Sequence, residues 1–150
     1  MPVRYEHTQV GHVLIVSILT PALVLFVAAA FTREPALIVV GAILLAVVTQ
    51  MATLTTKVAD GILEVRMGPG LIRRRIALRD VQQVAVVGRL WLWGWGIRLT
   101  ARGWQWNVSG TRGVELTYRN GRRFRIGSDE PEALAAAVAS WLDKGAHVHL

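Results

Sequence analysis

The chain has 150 residues, 53% of them hydrophobic, with a mean hydropathy of +0.40, which is too apolar for an average soluble domain. Cysteine is absent, and this excludes disulfide frameworks, thiolate metal sites, iron–sulfur ligation and a Cys nucleophile. The formal charge of +7 is unevenly placed: residues 1–54 set Arg4 and Arg33 against Glu6 and Glu34, whereas residues 55–150 carry 15 basic and 8 acidic side chains.

In chain order, residues 1–9 read as a tail. Val10 to Phe31 has no formal charge. As a helix it is roughly 33 Å long, enough to cross a hydrocarbon core. It is longer than the apolar centre of a signal peptide, and a second apolar run, Pro35 to Leu54, follows after Thr32, Arg33 and Glu34 alone. Two spans, about 10–31 and 35–54, joined so tightly must be antiparallel, so residues 10–54 are expected to form a transmembrane hairpin. Pro35 sits in a first turn, where proline is tolerated, while Pro21 should kink its span or leave a carbonyl for Ser17 or Thr20 to satisfy. His12 and Gln50 fall at similar depth, within reach of a hydrogen bond, and Gly41, Ala42 and Ala46 offer a small-residue face to a partner helix. Arg4, Lys57, Arg66 and Arg73 flank the terminal side against Arg33 in the connection, which places both termini in the cytoplasm of a multi-pass inner-membrane protein.

Beyond Leu54 the apolar residues alternate, as on half-buried strands of a domain over residues 55–145. Thr53 to Ala59 is followed by the turn dipeptide Asp60-Gly61 and by ILEVRM, where Leu63, Val65 and Met67 oppose Glu64 and Arg66. After Gly68-Pro69-Gly70 comes LIRRRIAL, with Ile72, Ile76 and Leu78 on one face and Arg73 and Arg75 on the other. Arg74 falls on the apolar face, which places it near a sheet edge. Arg79-Asp80 then leads to VQQVAVV. In GRLWLWGWG, residues 88–96, Trp91, Trp93 and Trp95 alternate; that spacing either presents three rings to lipid headgroups or stacks them on a sheet. IRLTA and WQWNVSG follow as strands.

VELTYRNGRRFRIG reads as a hairpin. A two-residue Asn120-Gly121 turn would set Leu116 against Arg125, so a three-residue loop, Arg119-Asn120-Gly121, is expected instead. With Gly121 left-handed, it pairs Leu116 with Phe124, Val114 with Ile126 and Glu115 with Arg125. The last element is a helix capped by Ser128 or Asp129, with Pro131 in its first turn and Asp129, Glu130 and Glu132 as cap and dipole residues. Leu134, Val138, Trp141 and Leu142 form its apolar stripe, Gly145 ends it, and 146–150 is a tail.

A hairpin, about seven short strands and a terminal helix is the plan of the pleckstrin-homology barrel. Over residues 52–145 the chain resembles small bacterial membrane proteins carrying a PH-like domain. The pieces that carry the likeness are Trp95-Gly96-Ile97-Arg98, Asn107-Val108-Ser109-Gly110, Arg112-Gly113-Val114-Glu115-Leu116, and the run from Phe124 through Gly127, Pro131 and Leu134. The resemblance implies an α+β membrane protein in which a transmembrane helical hairpin precedes a PH-like β-barrel of about seven antiparallel strands with a C-terminal capping helix. It implies no catalytic residues.

The residues themselves point the same way. No nucleophile–base set or Gly-rich phosphate loop is present, so no enzyme activity, cofactor or metal is expected. Residues 60–128 hold 13 Arg against Asp60, Glu64, Asp80 and Glu115. Held beside an anionic leaflet, each basic residue close to it gains about 1 kcal/mol. The candidate contacts are Arg73, Arg74, Arg75, Arg122, Arg123 and Arg125, with Trp91, Trp93 and Trp95 as apolar partners. No base-reading element accompanies them, so nucleic acid is not expected. The sequence therefore predicts a non-enzymatic integral membrane protein that presents a basic domain for anionic lipid or a partner protein. The other reading is an assembly subunit of a membrane complex, with the arginines serving topology and solubility.

Overall fold

The computed structural model describes residues 4–146. The chain enters through strand β1 (Tyr5–Val10), rises in helix α1 (His12–Thr32), returns in α2 (Pro35–Met51) and continues as β2 (Thr53–Ala59). β1 and β2 pair antiparallel from Tyr5 opposite Val58 to Val10 opposite Thr53, so the helical hairpin is itself the connection between two neighbouring strands. Residues 5–9, expected as tail, and Val10, expected to open the first span, are thus part of a sheet. Their partner strand is separated from them by both helices, and YEHTQV alone gives no local sign of it.

Arg33, with a left-handed φ of 57°, turns the chain between the helices, and Pro35 opens α2. α1 runs on through Pro21; Thr20 Oγ1 donates to the Val16 carbonyl at 2.8 Å, one residue short of the Ser17 carbonyl that proline frees. The helices meet along Leu14, Ala22, Ala29, Gly41 and Val48. Gly41 is covered by the Phe26 ring, so it serves the hairpin's own packing instead of a partner helix. Val16, Leu23, Val24, Phe31, Ile38 and Ile43 remain exposed. By length and composition α1 is a candidate membrane span; α2, at 17 residues, is shorter. His12 is exposed, while Gln50 Oε1 is buried without a hydrogen-bond partner, so the expected bond between them is not made.

β2, β3 (Ile62–Met67) and β4 (Ile72–Ala77) complete a four-stranded sheet in the order β1-β2-β3-β4. A 3-10 turn at Leu78–Asp80 leads into β5 (Val81–Val87), β6 (Gly96–Thr100), β7 (Gly103–Asn107), β8 (Gly113–Tyr118) and β9 (Arg123–Gly127), which form a second sheet in the order β5-β8-β9-β7-β6. The expected closed barrel of about seven antiparallel strands is therefore corrected on three counts. The described residues form nine strands, the two sheets of four and five do not close, and β7 and β9 run parallel from Trp104 opposite Phe124 to Trp106 opposite Ile126. The parallel pair arises because the β8–β9 hairpin inserts between β5 and β7, which sets β9 beside the inner side chain of Trp106.

The β8–β9 register is the one that the alternation predicts. Val114, Glu115 and Leu116 face Ile126, Arg125 and Phe124; Tyr118 N donates to the Arg122 carbonyl at 2.8 Å, and Gly121 has a φ of 84°. The core lies between the sheets and α3 (Pro131–Ala146), with Leu54, Val58, Leu63, Val65, Met67, Leu116, Phe124, Ile126 and Val138 buried. Each such side chain contributes about 1.5–3 kcal/mol by leaving water. α3 packs chiefly on β5 through Leu134 and Val138, with Trp141 and Leu142 half-buried; Glu130 N donates to Ser128 Oγ at 3.0 Å in the turn before the helix, and the Glu130 carbonyl accepts from Leu134 N at 3.1 Å, so Glu130 and not Ser128 or Asp129 flanks the helix start. The helix passes Gly145 to end at Ala146; the remainder of the expected tail, 147–150, lies outside the described residues.

The tryptophan segment departs from strand geometry. Leu90–Trp93 is a 3-10 turn between two left-handed residues, Arg89 at φ 57° and Gly94 at φ 82°, so Trp91, Trp93 and Trp95 are not alternate residues of one strand. Buried Leu90 anchors the turn, its N donating to the Thr111 carbonyl at 3.0 Å.

Candidate anion-binding cleft

The β domain has two unlike ends. At the end that joins the helices, Gly11 N donates to the Ala52 carbonyl at 2.7 Å, Gly68 N to the Thr53 carbonyl at 2.9 Å, and Gln9 Nε2 to the Ser109 carbonyl at 2.7 Å. Gly68, at φ 53°, has no room for a side chain because the Gln50 backbone carbonyl occupies the space, and Gly96 meets the tip of Met51. Beside these contacts Leu71, Trp91 and Leu92 are 79%, 49% and 56% exposed. The opposite end holds the β2–β3 turn at Asp60-Gly61, the 3-10 turn and the β8–β9 loop. Strands of six or seven residues separate the two ends by roughly 20 Å.

At that far end, β4, an edge strand of the first sheet, and the tip of the β8–β9 hairpin of the second enclose a cleft of about 390 Å³. Arg74 reaches it because it shares the inward face of β4 with Ile72 and Ile76. Only at an edge does that face leave a guanidinium an outlet, and here it lies 4.6 Å from the centre of the Phe124 ring, a cation–π contact. Arg75 Nε donates to Glu64 Oε2 at 2.7 Å across the β3–β4 pair, a bond that holds the Glu64 carboxyl below its ordinary range. From the hairpin, Arg119 Nε donates to the Arg79 carbonyl at 2.8 Å and Arg119 N to the Asp80 carbonyl at 3.0 Å, which seats the loop on the 3-10 turn. Asn120 Oδ1 accepts from Arg122 N at 3.0 Å and closes the loop.

The Tyr118 hydroxyl is buried with no partner in hydrogen-bond geometry. Burial pushes its phenol up, and the neighbouring Arg74 guanidinium pulls part of the way back. Among the described residues no carboxylate pairs with Arg74 or Arg122, and Asp80 faces Arg79 at 3.9 Å. Arg74, Arg75, Arg119 and Arg122 thus border a space that contains one carboxylate, Asp80; the Arg75 guanidinium is held by Glu64 and that of Arg119 by the Arg79 carbonyl, which leaves those of Arg74 and Arg122 to face a ligand.

The structure divides the arginines expected from sequence. Arg74 and Arg122 converge on the cleft, while Arg75 borders it from the outer face of β4 with its guanidinium on Glu64. Arg123 and Arg125 instead pair with Glu115, at 3.4 Å and 2.7 Å, and Arg125 is only 8% exposed, so neither is a free surface cation. Arg73 stands exposed on the outer face of β4, opposite Arg66. The tryptophans lie at the other end of the domain: Trp91 is exposed there, Trp95 is half-buried with its Nε1 unpartnered, and the Trp93 side chain lies outside the described ones. Arginines and tryptophans therefore do not form one surface. Tyr118, Arg119 and Asn120 went unread as site residues, and the only local signal for the cleft was the misplaced charge of Arg74.

The acidic residues at the start of α3 serve as clasps. His7 Nε2 lies 2.6 Å from Asp129 Oδ1, Tyr5 Oη donates to Glu130 Oε2 at 3.4 Å, and Glu132 pairs with Arg112. The Tyr5 phenol is pushed up to about 12 by burial and by the Glu130 charge. Among the described residues no group of three or more His, Asp or Glu could hold a metal ion. No family model matches the chain, and no curated protein matches it, so the function rests on the chemistry of these residues.

Proposed function

We propose that the protein is a non-enzymatic integral membrane protein whose hairpin, α1 and α2, crosses the inner membrane with both termini cytoplasmic and holds the β domain at the membrane face as a binding module for an anionic ligand. The single observation that carries this reading is the outward display of Val16, Leu23, Val24, Phe31, Ile38 and Ile43 along both helices, on an element whose buried face is already filled by its own partner helix. Such a surface is stable in hydrocarbon and costly in water. At about 25 Å, α2 is at the short end of membrane spans. In this arrangement Leu71, Trp91 and Leu92 sit at headgroup level, where exposed tryptophan is favoured, and the arginine cleft opens away from the bilayer. The order of elements and the terminal helix are in keeping with the PH-like resemblance, which remains part of the same proposal.

Topology labelling tests it on a chain that has no cysteine of its own. With Arg33→Cys, a membrane-impermeant maleimide added to intact cells is expected to label the protein. With Asn120→Cys, labelling should appear only after lysis; labelling of position 120 from outside overturns the reading.

A further inference from the structure

We infer that the far-end cleft binds the phosphate group of a small water-soluble ligand, reached from the aqueous phase and not from the bilayer that holds the hairpin. The choice of source rests on the membrane-tethered reading; the site itself does not.

The donor set is the first argument. Guanidinium groups match phosphate oxygens in pairs of parallel N–H bonds, and two of those here, Arg74 and Arg122, have no carboxylate to satisfy them among the described residues. Arg74 is also held in place over the Phe124 ring, so little of its freedom remains to be lost on binding. The Tyr118 hydroxyl, buried beside the Arg74 guanidinium, has no acceptor for its own proton among the described residues, and a ligand oxygen supplies one.

Size and place are the second. A space of about 390 Å³ admits a phosphate with a modest polar group attached, and falls at the small end of ligand pockets. The cleft is roughly 20 Å from the helix bases by strand length. That is beyond the reach of an arginine side chain and about twice the screening length at physiological salt, so lipid of the same bilayer does not fill it.

The test is calorimetric titration of the full chain, in nanodiscs of phosphatidylcholine, with inorganic pyrophosphate as the probe. Saturable one-site binding is expected, weakened about tenfold by Arg122→Gln and by Arg74→Gln, and several-fold by Tyr118→Phe. Arg73→Gln, on the outer face of the same strand, should stay within about twofold of the wild type, since it removes equal charge outside the cleft. Because Arg74→Gln also removes the Phe124 contact, Arg122→Gln carries the decision if the former lowers the melting temperature. Absence of saturable binding, or equal weakening by Arg73→Gln, overturns the site. In phosphatidylglycerol nanodiscs an unchanged dissociation constant supports the aqueous source, whereas loss of the probe site overturns it in favour of lipid headgroups. Displacement by hexaglutamate at lower concentration than pyrophosphate overturns it in favour of an acidic peptide. The cleft needs no membrane to bind the probe, so failure of the topology labelling and failure of this titration are separate results.

Discussion

The two ends of the β domain are made from the same strands and differ in what their loops do. At the hairpin end, backbone meets backbone: the turn at Gly68 fits under Gln50 with no side chain between them, and exposed apolar residues stand around the contact. At the far end the sheets part, and the opening holds two guanidinium groups, those of Arg74 and Arg122, that no carboxylate neutralises among the described residues. The comparison shows that a net charge of +7 has no single meaning on this chain. Arg123 and Arg125 balance Glu115, Arg75 balances Glu64, and two arginines that no carboxylate balances among the described residues, Arg74 and Arg122, meet at the end farthest from the helices.

Phe124→Ala is the strongest way to break this contrast, because the ring is fully buried core and also the seat of the Arg74 guanidinium. A loss of about 3–5 kcal/mol is expected in denaturant unfolding of the full chain, together with weaker pyrophosphate binding as Arg74 loses its seat. A smaller loss, below about 1 kcal/mol, would mean that the two sheets do not share this residue.

Two glycines sharpen the contrast. Gly68 and Gly121 both have positive φ, 53° and 84°, but only Gly68 is hemmed in, by the Gln50 carbonyl, while Gly121 faces open space. Gly121→Ala should cost about 1–2 kcal/mol, the strain of a left-handed alanine alone. Gly68→Ala should cost more than that and displace the domain from its helices, read as faster proteolysis between residues 51 and 72. Equal effects of the two substitutions would erase the distinction between a packed end and an open one.

The smallest effect concerns the clasp between β1 and α3. Folding holds the Tyr5 proton up to about pH 12, against an ordinary phenol near 10, so the folded state binds more protons across that window. The contribution is therefore fully present below pH 10 and is lost as pH rises from 10 towards 12. Tyr5→Phe should flatten this alkaline limb of the stability profile, and near neutrality should cost at most about 1 kcal/mol for the long hydrogen bond to Glu130.

The elements whose evidence is local were legible in the chain. The alternation of β2 through β5, the α3 stripe, and the three-residue loop that sets Leu116 against Phe124 all follow from side-chain period and turn chemistry over a few residues. The helical hairpin was legible for the same reason. The misreadings are of another kind. GRLWLWGWG alternates like a strand, but left-handed residues on either side turn it into a 3-10 segment. β1 carries too little pattern to announce a partner beyond two helices.

Arg74 marks the boundary between the two kinds of information. Its place on an apolar face is written in LIRRRIAL and predicts an edge strand, which β4 is. That the edge opens onto Tyr118 and Arg122, and that Arg123 and Arg125 are taken up by Glu115 while Arg122 is left free, depends on how one sheet lies across the other. Periodicity assigns each side chain a face; the meeting of faces from strands distant in sequence is a property of packing, and the cleft exists only there.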